Sequence, residues 1–292
     1  MKFTYHHSMC PPEQYAPLAI EAERLGFDTI TMPESICYPK HATSQYPYNE
    51  DGGRDFLDNE PFIDPFILTA HMAAVTQQIR FSTSIIKLAI RQPVLVAKSL
   101  ASLAVITNNR FACGVGISPW KEDFEVAQIP WEKRGQRLDE TIDIVRGLMS
   151  GEYFGYQGDI FDIPEIKLCP VPTAPLPILV GGHADAALKR AARRGDGWIA
   201  AGASLEELSR MIKRVHELRR DYGRDHLPFE IHTSSDQAYS SDGVKRLEEI
   251  GVTEVTVAFR NIYAGEPDTQ SVAEKTATLN WYAKNVMAKS RL

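Results

Sequence analysis

Apolar residues fall along the chain in two alternating patterns. Short unbroken runs, the mark of parallel strands covered on both faces, alternate with longer stretches in which apolar positions recur every three or four residues. The runs predict strands at 3–6, 28–32, 80–87, 110–116, 178–180, 198–200, 229–233 and 254–259. Between them, Leu18, Ala19, Ala22 and Leu25 trace a helix closed by Gly26, and further helices are predicted at 63–75, 93–105, 131–149, 185–194, 204–222 and 271–287. Pro93 opens one at its first turn and Ser204 caps another.

Eight strands interleaved with helices, and no Gly-x-Gly-x-x-Gly opening the first helix, favour a closed barrel over a doubly wound sheet. The expected fold is a single (β/α)8 TIM barrel spanning 1–292, with the stretch 118–161 as an insertion after strand 4. A second departure is the long segment 33–60, with Tyr38, Tyr46, Tyr48 and Phe56 among prolines and glycines. A loop that long at the C-terminal end of a barrel strand is where such folds place function.

Composition narrows the function. A chain of 292 residues with 43% hydrophobic and 24% charged residues can bury a full core. A net charge of −6 with scattered arginines argues against a nucleic-acid partner. Arg134, Arg137 and Glu140, on one predicted helix, read as ion-pair formers. The four cysteines, Cys10, Cys37, Cys113 and Cys169, show no paired framework and read as reduced. Without an apolar leader or membrane-length run, the expectation is a cytoplasmic protein with no membrane partner.

In a barrel, chemistry sits just past the strand ends. That places His6, His7, Glu34, Ser35, Ser84, Ile85, Ser118, Trp120, Gly181, Gly182 and His183 around the mouth. His6, His7 and His183 with Glu34 make a poor metal set, because neighbours on a strand point to opposite faces, so no metal is expected. No Gly-x-Ser-x-Gly elbow supports a hydrolase. What remains is an organic cofactor carrying its own reactivity, with its phosphate at Gly181-Gly182, where strand 5 gives way to a helix N-terminus. His7, Ser35, Tyr46, Tyr48 and Trp120 are the expected substrate pocket, for a small, apolar or ring-bearing molecule. Surplus apolar residues at 65–68 and 94–97 suggest a homodimer.

The runs Arg80-Phe81-Ser82-Thr83-Ser84-Ile85-Ile86, Arg91-Gln92-Pro93-Val94-Leu95-Val96-Ala97-Lys98, Asn109-Arg110-Phe111-Ala112-Cys113-Gly114-Val115-Gly116, Arg134-Gly135-Gln136-Arg137-Leu138-Asp139-Glu140, and Ile178-Leu179-Val180-Gly181-Gly182 with Gly195-Asp196-Gly197-Trp198, occur in this order. Together, over about residues 1–220, they resemble the bacterial luciferase-like flavin and deazaflavin oxidoreductases. The resemblance implies a barrel, often dimeric, binding coenzyme F420 or FMN at its mouth. Residues 33–39, 46–48 and 118–120 look most like the deazaflavin-using branch. Carried over, Ser84-Ile85 would be a bulge with a non-proline cis peptide beneath the ring. Ser118, Gly181, Gly182 and His183 would complete the cofactor site. Where deazaflavin members commonly have Asp-His after strand 2, this chain has Glu34-Ser35. Glu34 becomes the candidate proton-transfer residue. The expected activity is F420-dependent hydride transfer; the alternatives are an FMN-dependent monooxygenase and a non-catalytic flavin-binding protein of the same fold.

Overall fold

The computed structural model describes residues 1–46 and 52–291. Eight parallel strands form the barrel: β1 (Lys2–His6), β2 (Thr29–Met32), β3 (Arg80–Thr83, resuming as Ile86–Lys87), β4 (Phe111–Gly116), β5 (Ile178–Gly181), β6 (Gly197–Ala200), β7 (Glu230–Ser234) and β8 (Glu254–Val257). Each pairs with the next, and β8 pairs with β1, so no edge is left. Around them lie α1 (Tyr15–Arg24), α2 (Pro65–Ala73), α3 (Pro93–Ile106), α4 (Arg134–Leu148), α5 (Asp185–Arg194), α6 (Leu205–Asp221), α7 (Ser241–Glu249) and α8 (Val272–Tyr282). No described helix is long and apolar enough to cross a membrane.

Local chemistry sets the helix starts. The Asp64 carboxylate accepts from the N–H groups of Phe66 and Ile67 ahead of α2, and the Gln92 side chain accepts from Leu95 N–H ahead of α3. Ser204 with Glu207 and Ser271 with Glu274 form capping boxes on α6 and α8. α7 lies outside the helices predicted from the apolar pattern; its signals are Ser240, whose hydroxyl caps it, and the buried Val244 and Leu247 one turn apart.

The two faces of each strand differ in kind. On β1, Phe3 packs outward, edge-on to Tyr282 of α8 at 6.1 Å, while the Thr4 hydroxyl reaches Glu254 on β8 inside the barrel. Two strands approach so closely that only glycine fits: a Cβ on Gly114 of β4 would lie 1.8 Å from the Thr83 carbonyl oxygen of β3.

Three expectations need correction. Strand 3 is not continuous through 80–87 but breaks at Ser84-Ile85. The predicted insertion contains a barrel helix, since α4 packs against α3 and α5. Only the short helix Lys121–Val126 and the hairpin Phe154–Gln157 and Asp162–Ile166 are additions. Glu140 serves this hairpin, not an ion pair: its carboxylate accepts from the N–H groups of Asp159, Ile160 and Phe161 at 3.0–3.1 Å.

Candidate active site

The break in β3 shapes the barrel mouth. The Ser84–Ile85 peptide bond is cis, as the resemblance implied. The Ile85 side chain lies across the ends of β4 and β5, where a Cβ on Gly116 would come within 1.8 Å of Ile85 Cδ1 and one on Gly181 within 3.0 Å of Ile85 Cγ2. Glycines at both positions make room for this apolar shelf. The Ser84 hydroxyl beside it is buried with no hydrogen-bond partner, a polar atom left for something bound there.

Glu34 holds the chain just after the break. One carboxylate oxygen accepts from Lys87 N–H at 2.7 Å, and the other is paired with Arg91. With both oxygens engaged and the side chain 2% exposed, the group is held as a strut for the chain that follows the break. This arrangement speaks for a positioning role over the proton transfer expected from sequence.

Lys87 points inward from the resumed strand, and its ammonium is 2.8 Å from the buried Asp123 carboxylate. Ser118 donates to the same carboxylate, and its Oγ accepts from Trp120 N–H at 3.0 Å. The Ser118 hydroxyl thus organises the turn after β4.

The segment after β2 folds across the mouth as a roof. Thr43 and Ser44 donate backbone N–H to Glu122 at 2.7 and 3.2 Å, and Lys121 N–H donates to Ser44 Oγ at 3.0 Å. Burial would raise the Glu122 carboxyl, but the Ser44 side chain and the backbone donors outweigh it and hold the group down to about 2. Above this latch Tyr46 stacks on Trp120 at 5.3 Å with 14° between the planes, Phe56 meets Tyr263 edge-on, and Arg54 lies over the Trp120 ring. Glu60 ties the far end of the segment to Arg260 at 3.1 Å. Ser35, half-buried, donates to Cys37 O within the same segment. Tyr48 lies outside the described residues.

His7 is not where the sequence reading placed it. Alternation along β1 sends it outward with Phe3 and Tyr5, where it stacks on Tyr15 at 4.6 Å and its Nε2 faces Cys10 Sγ at 3.3 Å. Burial drives its pKa down to about 3 and the Cys10 thiol up to about 11, so the pair is a neutral packing contact, not an activated thiolate. His6 is the histidine on the lumen side. It is lowered to about 4 by burial and lies within 3.3 Å of Ser8 Oγ. The choice between two adjacent histidines needed the strand's parity, which the sequence carries only through its neighbours Phe3 and Thr4.

At the end of β5 the glycines act through their backbone. Gly182 has φ of +121°, its N–H donates to Ile199 O at 3.3 Å, and its carbonyl accepts from the Trp198 indole at 2.8 Å. The turn is therefore fixed to β6, and Gly182 N–H is already engaged. α5 starts at Asp185, and its N-cap residue, Ala184, offers no side-chain cap, leaving first-turn N–H groups to meet an anion. His183 stands at this turn, its pKa lowered by burial against a backbone hydrogen bond to Ala201.

Such a mouth, with an apolar shelf, an uncapped helix start and an aromatic roof, belongs to a cofactor-using oxidoreductase barrel. The luciferase-like monooxygenase family model matches residues 4–279, well beyond the span read from sequence motifs, and the chain belongs to this family. An uncharacterized protein of Mycobacterium tuberculosis, Rv0940c, is 50% identical over 289 residues, covering 99% of this chain and 100% of that one. An F420-dependent glucose-6-phosphate dehydrogenase of Amycolatopsis mediterranei is 24% identical over 299 residues, covering 90% and 84%. The solved structure of monooxygenase RslO1 from Streptomyces bottropensis superposes with a TM-score of 0.76 at 19% identity, covering 99% of each chain.

Proposed function

We propose that this member of the family transfers hydride between coenzyme F420 and a small organic substrate at the barrel mouth. The observation that carries the reading is the Ile85 shelf, set over Gly116 and Gly181 and continuous with the uncapped start of α5. The deazaflavin-like segments of the sequence, and a relative named for its F420 dependence, support this cofactor over others. The fold match to a monooxygenase keeps an FMN-dependent oxygenation as the second reading.

The residues present fit such a group. Ser84 and Ile85 would support the ring, and the α5 start with His183 would take the phosphate. When bound, the deazaflavin supplies a ring that accepts or gives hydride. The chain's own residues do the rest. Glu34 and Arg91 keep the shelf in place, the Glu122 latch holds the roof and excludes water, and His6 presents a neutral imidazole to the lumen. Titration with F420 and with FMN, followed by a screen of oxidisable alcohols and reducible enones, tests the reading.

The proposed assembly is a homodimer through α2 and α3. These adjacent helices leave Ile67, Leu95 and Ile106 at 66%, 69% and 63% exposed, an apolar surface a second copy would cover.

A further inference from the structure

The lower, N-terminal end of the barrel lumen is ionic where such lumens are ordinarily filled by branched apolar side chains. Glu230 and His232 reach in from β7, Glu254 from β8 and Arg80 from β3, all on the lumen side that their strand register shares. His232 Nε2 lies 2.7 Å from Glu230 Oε2 and 3.4 Å from Glu254 Oε2. Among the described residues these three form the group of possible metal ligands, with all ligand atoms within 4.8 Å of one another.

We propose that Glu230, His232 and Glu254 bind a first-row divalent cation of the zinc or manganese type, at a site separate from the cofactor mouth. Ligands about 2.0–2.2 Å from such an ion stand about 3–3.5 Å from each other; the 3.4 Å His232–Glu254 pair matches this, and the 2.7 Å His232–Glu230 contact is a hydrogen bond that an ion would replace. Two carboxylates and an imidazole are a ligand set these metals accept.

A second observation points the same way. Glu254 is fully buried, yet its Oε2 has no hydrogen-bond partner, and the hydroxyl of Thr29, also fully buried, has none either. Thr29 faces the lumen one strand from Thr4 and beside Arg80. Arg80 is the one guanidinium set against both carboxylates, doubly bonded to Glu230 at 3.1 Å and 3.9 Å from Glu254. With His232 at 3.4 Å turned first to Glu230, Glu254 keeps a buried oxygen without a hydrogen bond, a costly state for a carboxylate.

The surroundings supply what a metal site needs around its ligands. Thr4 Oγ1 donates to the other oxygen of Glu254, and Arg80 orients Glu230, the outer hydrogen bonds that fix ligating carboxylates. An entry path exists from below, since Arg80 and Glu230 retain 21% and 27% exposure.

The test is calorimetric titration of the EDTA-stripped chain with Zn2+, Mn2+ and Mg2+ alone, with the melting temperature followed in parallel. Expected is one saturable Zn2+ site per chain, weaker Mn2+ binding, little Mg2+ binding, and a melting temperature that rises with Zn2+. Glu254→Gln and His232→Gln should each weaken Zn2+ at least tenfold. If these variants do not fold, Co2+ added to the unmodified chain decides: visible bands discharged mole for mole by Zn2+ support the site. No saturable binding, no Co2+ bands, or undiminished binding in folded variants overturns it. The experiment contains no flavin, so its failure leaves the mouth reading untouched.

Discussion

Ile85 Cδ1 occupies the space that a Cβ on Gly116 would need, the two being 1.8 Å apart if the glycine were alanine. The neighbouring glycine of the same strand, Gly114, faces the Thr83 backbone carbonyl at the same 1.8 Å. The first obstacle is a side-chain end that can rotate; the second is main chain that cannot. Gly116→Ala should therefore fold, shift Ile85 and weaken cofactor binding, whereas Gly114→Ala should cost several kcal/mol of stability or prevent folding. Pairing Gly116→Ala with Ile85→Val, which removes the obstructing Cδ1 and keeps the β-branched shelf, should recover much of the lost affinity, which cofactor titration of the two singles and the double would read as a coupling.

Glu34→Gln takes from Arg91 its buried carboxylate, leaving only Asp64 at 3.8 Å, and weakens the Lys87 N–H contact. Stability should fall by about 1.5–3 kcal/mol, the scale of a lost charged hydrogen bond, with any fall in kcat following the displaced shelf. Denaturant unfolding with a pH–rate profile checks this. Unchanged stability with kcat lost and one limb of the profile removed would instead restore Glu34 as the proton carrier.

Much of this was legible in the sequence, for physical reasons. Unbroken apolar runs announced eight doubly covered strands, and Ser204 and Pro93 announced helix starts. The break in β3 was legible only through family resemblance, because Ser82-Thr83-Ser84-Ile85 reads locally as plain strand. The partners of Glu34 were not legible: Arg91 is 57 residues away, and only the closed barrel brings the two together. The ionic lumen was hidden for the same reason, its members lying on β1, β3, β7 and β8.

Acid should weaken the fold through His6 and His7. His7 is held near 3 and His6 near 4, below the ordinary 6.5, so between those values the unfolded chain binds protons that the native chain refuses. Stability then falls as pH drops from about 6.5, by up to about 1.4 kcal/mol per pH unit for each histidine. Melting temperatures across pH 7 to 4 should show this slope, and His7→Gln should flatten part of it. An unchanged slope in a folded variant would mean His7 is not responsible.

Light scattering should give a species of twice the 32.7 kDa chain mass. Leu95→Arg, on the exposed face of α3, should reduce it to a single chain without loss of secondary structure. A single-chain mass for the unmodified protein at micromolar concentration contradicts the proposed dimer.

Gly182→Val forces a side chain onto a backbone at φ +121° and brings its Cβ to 3.0 Å from Ala187. The turn before α5 should shift, and cofactor affinity should fall by about tenfold or more, one or two charge-assisted hydrogen bonds' worth. Turnover at saturating cofactor should change far less. Equal affinity in variant and parent, by fluorescence titration, would show that the phosphate does not bind at this turn.

The cofactor and reaction are tested most directly by titration of the purified chain with F420 and with FMN, followed by single-turnover mixing with a panel of secondary alcohols and enones. Expected are tight one-to-one F420 binding, weaker FMN binding, and bleaching or recovery of the deazaflavin absorbance with at least one substrate under anaerobic conditions. Tight FMN binding with oxygen consumption and no F420 affinity would contradict this in favour of the monooxygenase reading.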